Sequence, residues 1–277
     1  MTAKELFDWT LKELQTQFDK QESKGLASIL FYDLLNIKYL SIESSVNEIT
    51  IYEEKLIHEA IIRLLNSEPV QHVTGFSYFM QLKFKVNKNV LIPRPETEEL
   101  VEWILQDESD EKLNVIDIGT GSGCIAISLK KNKQNWSISA TEISDEALEI
   151  ARENSIVNEV YINFIQDDIS NSKIINEFDI IVSNPPYIFL DEADTILHNV
   201  LNHEPHLALF EPSEFYFYHN IIAFARINLK VGGSVYVEIN QSKSEELKNL
   251  FELHFSNVIL AKDLSNNFRM IKASGLK

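Results

Sequence analysis

The chain has 277 residues, 44% hydrophobic and 24% charged, a mixture that builds a globular core and excludes a disordered polymer. Its one cysteine, Cys124, excludes an intramolecular disulfide framework, and no run of about 18 uncharged apolar residues offers a membrane span. Lys and Arg number 25 against 42 Asp and Glu, and the imbalance is uneven: residues 1–88 carry net −2 and residues 89–277 net −15, with no dense basic run, which argues against nucleic acid as a bound polyanion.

The chain opens Met1-Thr2-Ala3-Lys4-Glu5, with Asp8 close behind, and lacks the apolar stretch of a signal peptide, so a cytoplasmic protein is expected. Leu6, Trp9, Leu14 and Phe18 recur at helical spacing, as do Ile29, Leu34 and Leu35, then Leu56, Ile57, Ile61, Leu64 and Leu65. Ser28 is the expected cap of a middle helix, and the polar interval Ser41–Asn47 separates two others. A helical domain over residues 1–75 follows, with substrate recognition as its expected role.

From Phe76 the period changes. Leu82, Phe84 and Val86 alternate with polar residues, and Val90-Leu91-Ile92 follows Asn87-Lys88-Asn89, which predicts a hairpin connector over 76–92 turning at those three residues. Pro93-Arg94-Pro95 ends it, and a helix is expected over Glu96–Leu105 with acids crowded into its first turns. Strands are predicted at Val115–Ile118, Ser137–Thr141, Tyr161–Ile165, Phe178–Ser183 and Val235–Ile239, with two terminal strands at Val258–Ala261 and Arg269–Ala273. Helices fall at Asp145–Val157, Phe215–Leu229 and Ser244–Phe255, and Lys230–Gly233 reads as a turn. Apolar strands joined by crossover helices make residues 93–277 an α/β domain with a mostly parallel sheet, whose ligand belongs at the carboxyl ends of the strands.

Asp117-Ile118-Gly119-Thr120-Gly121-Ser122-Gly123 closes the first strand and opens a helix near Cys124. Such glycines permit a tight turn and a close approach by a ligand to backbone amides at a helix start. The spacing is G-x-G-x-G, and Cys124 stands where a dinucleotide fingerprint would place its last glycine, which weakens a nicotinamide reading. Glu142 ends the second strand, where a carboxylate accepts both hydroxyls of a ribose. Asp168 follows the third strand and is expected beside a base, while Asp117, preceded by apolar residues, is expected to orient the glycine turn or to meet a ligand's amino group.

Asn184-Pro185-Pro186-Tyr187 directly follows the fourth strand. The prolines fix the backbone and remove two amide donors, so the Asn184 side-chain oxygen and the Pro185 carbonyl form a pair of acceptors suited to a planar NH2 group. Tyr187 adds a flat surface for an amide or a base. His198, His203 and His206 match no metal-ligand spacing, and Cys124 reads as a packed residue behind the turn.

Together, Asp117–Gly123 and Asn184–Tyr187 resemble S-adenosylmethionine-dependent methyltransferases acting on planar amino nitrogens. Three further stretches, Glu68–Gly75, Val90–Val101 and Glu204–Leu209, resemble one branch, the peptide chain release factor glutamine methyltransferases. The resemblance implies a class I, Rossmann-like seven-stranded sheet. It also implies methyl transfer to the glutamine nitrogen of a Gly-Gly-Gln loop in release factors 1 and 2, with S-adenosylmethionine as cofactor and no metal. On matching positions it implies that Gly119, Gly121 and Gly123 line the methionine part, with Asp117, Thr120 and Asn184 also among the cofactor-binding residues. Glu142 takes the ribose in place of the more usual aspartate, Asp168 lies near adenine, and Asn184 to Tyr187 hold the substrate amide. Asp263–Arg269 resembles a family segment that often carries glycine in its loop. Two other classes share parts of the pattern: a nucleic-acid adenine or guanine methyltransferase, which calls for a basic channel, and a cofactor-binding protein without catalysis, which has little use for Asn-Pro-Pro-Tyr.

Overall fold

The computed structural model describes residues 1–42, 48–188 and 198–277. These form two compact units: one comprises Met1–Phe76 and the helix His198–His203, and the other runs from Ser77 to Lys277 apart from that helix.

The first unit contains α1 (Ala3–Leu14), α2 (Lys20–Leu35), α3 (Tyr39–Ile42), α4 (Ile51–Leu65) and α5 (Val70–Thr74). Thr2 and Thr50 each cap a helix reciprocally with a glutamate three residues on, Glu5 and Glu53, so the first orphan amides of α1 and α4 are satisfied. Asp19, not Ser28, caps α2: its carboxylate accepts from the Gln21 and Glu22 amides. Ser28 lies inside α2, where its hydroxyl donates to the Lys24 carbonyl at 2.7 Å. Leu6, Leu14, Leu30, Phe31 and Ile57 are wholly buried in this unit's own core. Of the interval Ser41–Asn47, residues 43–47 lie outside the described residues.

A short hairpin follows, β1 (Phe76–Phe79) and β2 (Leu82–Lys85). It turns at Met80 and Gln81, whose φ values of 49° and 62° suit a two-residue reversal. The expected turn at Asn87-Lys88-Asn89 lies past the second strand, and Val90–Ile92 pairs with no strand among the described residues. Val86 and Val90 instead pack with Ala147.

The remaining elements are α6 (Pro95–Asp107), β3 (Asn114–Ile118), α7 (Cys124–Asn132), β4 (Ser137–Glu142), α8 (Asp145–Val157), β5 (Asn163–Gln166), β6 (Phe178–Ser183), α9 (His198–His203), α10 (Tyr216–Asn228), β7 (Leu229–Glu238), α11 (Ser244–His254), β8 (Phe255–Lys262) and β9 (Phe268–Leu276). The seven strands β3 to β9 form one sheet in the order β5-β4-β3-β6-β7-β9-β8. Strands β3 to β7 pair in parallel, and β9 runs antiparallel to β7 and β8. Separate apolar clusters, one around Leu100, Ile127 and Trp136 and one around Tyr218, Phe251 and Ile271, bury the sheet between helices. Lys230–Gly233 lies within β7 as a bulge: pairing passes from Phe178–Leu229 to Ile180–Ser234, Gly232 takes φ 85°, and a Cβ on Gly233 would stand 2.8 Å from the Asp179 carbonyl oxygen.

Gly123 has a packing role. It caps α7 with φ 82°, and a Cβ there would lie 2.9 Å from Ile127 Cδ1 and 3.3 Å from Ala151 Cβ. Gly123→Ala is expected to destabilise the protein by roughly 1–3 kcal/mol through backbone strain and overpacking, read as a lower midpoint in denaturant unfolding. An unchanged midpoint would contradict this account of the residue.

Candidate active site

The turn after β3 is tied to the neighbouring strand. The Gly119 and Thr120 amides both donate to the Thr141 carbonyl at 2.9 Å. Gly119 and Gly121 have φ of 71° and 53°, a conformation natural to glycine. Asp117 is fully buried and accepts from the Thr120 hydroxyl at 2.6 Å. Burial pushes its carboxyl up to about 7 against the lowering effect of that hydrogen bond, with the Glu142 charge adding to the rise. Asp117 therefore orients the turn from beneath.

Glu142 does the same from the side. One carboxylate oxygen accepts from the Gly121 amide at 3.0 Å, and the other accepts from the Ile143 and Ser144 amides at 2.9 and 3.2 Å. Asp168 accepts from the Ser170 amide at 2.9 Å and so opens a single 3₁₀ turn, Ile169–Asn171.

At the end of β6 the Ser183 hydroxyl donates to the Ile118 carbonyl at 2.7 Å, which locks the tips of β3 and β6 together. The Asn184 side-chain amide donates to Thr97 Oγ1 at 3.0 Å. Thr97 in turn donates to Glu238 Oε2 at 2.7 Å, and the Tyr187 hydroxyl donates to Glu238 Oε1 at 3.2 Å. The Tyr218 hydroxyl donates to the Glu238 backbone carbonyl at 3.0 Å. A second link fixes the loop before α6: buried Glu204 accepts from the Ile92 amide at 3.1 Å and from the Arg94 guanidinium at 2.5 Å.

These elements enclose a cavity of about 350 Å³ at the carboxyl ends of the strands, within the size range of small-ligand sites. Gly119, Gly121, Glu142, Asp168, Asn184, Pro185 and Pro186 line it. Asp117, Thr120, Gly123 and Tyr187 do not; they lie behind the lining. The Tyr187 ring packs on the core beside β6, so its flat surface is not part of the cavity wall. Asp167, the neighbour of Asp168, lines the cavity as well.

Thr97 and Glu238 stand outside the expected site residues. Glu238 did leave a signal: a carboxylate inside the apolar run Val235-Tyr236-Val237-Glu238-Ile239 needs a buried partner. Thr97 by itself is an ordinary threonine in a first helical turn, and only the resemblance of Val90–Val101 as a whole points to it. Burial pushes the Cys124 thiol up to about 12, so it is no activated thiolate. His206 stacks edge-on against Phe210 and does not line the cavity, although Pro205, Leu207 and Ala208 do. The side chain of His198 lies outside the described residues. Among the described residues no group of three or more metal-ligating side chains occurs, and no helix is long and apolar enough to cross a membrane.

Sheet order, glycine turn and strand-end cavity define a class I, Rossmann-like methyltransferase. The family described as "Methyltransferase small domain" matches residues 96–211. A methyltransferase from Pyrococcus furiosus shares the fold with a TM-score of 0.52 at 18% identity, over 78% of this chain and 98% of that one. A release factor glutamine methyltransferase from Flavobacterium psychrophilum is 42% identical over 95% of this chain and 96% of its own length. One from Lactococcus lactis is 43% identical over 81% and 84%. The chain belongs to the release factor glutamine methyltransferase family.

The cofactor of this class is S-adenosylmethionine, and the cavity fits it. A Cβ on Gly119 or Gly121 would meet no atom within 4 Å, so the turn leaves open space against its backbone. Carboxylates of Glu142, Asp167 and Asp168 supply acceptors for hydroxyl and amino donors, while Ile118, Ile143 and Ile169 supply apolar surface.

Proposed function

We propose that this chain methylates the side-chain amide nitrogen, N5, of the glutamine in the Gly-Gly-Gln motif of peptide chain release factors 1 and 2, using S-adenosylmethionine. The observation that carries this reading is that Asn184, Pro185 and Pro186 line the same cavity as the glycine turn and Glu142. Family membership supports the same substrate.

In this reading Gly119, Gly121, Glu142 and Asp168 hold the cofactor, which when bound supplies a methyl group already activated by its sulfonium. Asn184 Oδ1 and the Pro185 carbonyl accept from the two hydrogens of the glutamine NH2. An amide nitrogen shares its lone pair with its carbonyl, and two fixed acceptors favour pyramidalisation as that nitrogen attacks. Positioning contributes most of the rate and acceptor electrostatics the next share. The proton leaves to water once the nitrogen has become acidic. Tyr187 contributes through its hydroxyl bond to Glu238, holding the end of the motif in place.

The helical unit over residues 1–75 serves substrate selection in this account. It has its own core, and among the described residues the cavity draws its lining from residues 89–221. The net −15 of residues 89–277 favours a basic protein surface and disfavours nucleic acid.

The test is to incubate the full chain with methyl-labelled cofactor and, separately, release factor, a Gly-Gly-Gln peptide, DNA and RNA. Label is expected on the glutamine of the release factor. Raising salt from about 0.05 to 0.3 M is expected to lower kcat/KM on intact release factor far more than on the peptide. Label on nucleic acid with none on release factor would overturn the assignment.

A further inference from the structure

Asparagine presents nearly the same shape whichever way its amide is turned, yet only one orientation offers the oxygen to an NH2 group. The buried chemistry behind Asn184 settles which. Thr97 and Glu238 are 2% and 1% exposed, so solvent does not compete for their hydrogen bonds. An ionised carboxylate only accepts. Thr97 must therefore give its single hydroxyl proton to Glu238, at 2.7 Å, and Tyr187 gives its own at 3.2 Å. With that proton committed, Thr97 Oγ1 can only accept from Asn184, which forces the NH2 of the Asn184 amide toward Thr97, at 3.0 Å. Oδ1 is left for the cavity. A flipped amide would set acceptor against acceptor at Thr97 and donor against donor at the substrate NH2.

We propose that Thr97 and Glu238 are positioning residues that fix the orientation of the Asn184 amide, so that its oxygen and not its nitrogen meets the substrate. The proposal rests on the methyltransferase reading above, in which that oxygen accepts from the glutamine NH2. The groups around Glu238 bear on its charge. Arg269 on β9 favours ionisation, Glu96 on α6 opposes it, and Tyr187, Tyr218 on α10 and Cys124 on α7 are neutral neighbours. Burial lifts the Glu238 carboxyl to about 7, with the Thr97 hydrogen bond and Arg269 pulling the other way. Below that pH the protonated acid can donate to Thr97, and the constraint on Asn184 is relaxed; above it the constraint is complete.

The experiment compares full-length wild type with Thr97→Val, Thr97→Ser and Glu238→Gln, each checked for cooperative unfolding. Thr97→Val and Glu238→Gln are expected to lower kcat on release factor by about tenfold or more, with KM and cofactor affinity within about twofold of wild type. Thr97→Ser keeps the hydroxyl and is expected to restore most of the turnover. Wild-type kcat should fall as pH drops through about 7, and Glu238→Gln should flatten that limb. Independently of turnover, the NH2 resonances of Asn184 in isotope-labelled protein, assigned by their loss in Asn184→Ala, should be slowly exchanging in wild type and Thr97→Ser and broadened in Thr97→Val. Wild-type kcat in Thr97→Val, a serine variant as impaired as valine, or Asn184 resonances indifferent to residue 97 would each overturn the proposal. A wild type that fails to methylate release factor while its Asn184 resonances respond as described would overturn the substrate assignment and leave the positioning role standing.

Discussion

Asn184→Ala is expected to cut kcat on release factor by roughly 10²-fold or more, the size of effect seen when one preorganised transition-state partner is removed. The substitution deletes the side-chain acceptor facing the substrate and leaves Gly119, Gly121 and Glu142 in place, so cofactor affinity should hardly move. Two interactions vanish together: the acceptor itself and the partner of Thr97 Oγ1, which keeps its bond to Glu238. Because that second loss lies within a rigid buried pair, the fold should tolerate it. Steady-state kinetics with parallel calorimetry on the cofactor separate the two quantities. Near-normal turnover would remove Asn184 from the role assigned to it.

Glu142→Ala should weaken cofactor binding by about 1.5–3 kcal/mol, the range for hydrogen bonds to a charged group. Three backbone amides, those of Gly121, Ile143 and Ser144, already occupy three of the carboxylate's roughly four lone-pair sites. The alanine variant therefore loses a ligand contact and frees the glycine turn at the same time. Glu142→Asp keeps the charge and both oxygens on a shorter arm and should be milder. Calorimetry decides: unchanged affinity in Glu142→Ala would assign the ribose to some other residue.

Much of the architecture was legible in the chain because a parallel sheet buries both faces of its strands and so writes continuous apolar runs. Phe178–Ser183 reads off at its observed limits for this reason, and Asp145–Val157 because its apolar residues recur at helical spacing behind the Ser144 cap. The hairpin was misplaced because its turn uses Met80 and Gln81, residues with no special liking for positive φ, while Asn87-Lys88-Asn89 nearby has the composition of a reversal. Lys230–Gly233 has the composition of a turn and forms a bulge inside β7, where Gly232 takes a positive φ and Gly233 admits the Asp179 carbonyl. Ser28 and Asp19 differ only in which one precedes the helix, a matter of boundary that periodicity resolves poorly.

For the cavity, spacing located what lines the strand ends, since each lining residue sits just after an apolar run. It could not locate what stands behind them. Thr97 and Glu238 are 141 positions apart and meet only because α6 packs on β7. Likewise, three similar glycines carry different duties. Gly119 and Gly121 leave room for a ligand, whereas Gly123 makes room for Ile127 and Ala151. That distinction lies in the neighbours and not in the motif.

The same sheet order ties activity to synthesis of the whole catalytic unit. A nascent chain that has emerged only as far as Tyr187 already holds the glycine turn, the strand-end carboxylate and the Asn-Pro-Pro-Tyr segment, but not the acid that polarises Thr97, because Glu238 arrives fifty-one residues later on β7. Since β7 is itself paired with β9, the proposed orientation of the acceptor facing the substrate depends on strands that follow every residue of the cavity lining. Removal of β8 and β9 is thus expected to impair turnover without touching one residue that lines the cavity.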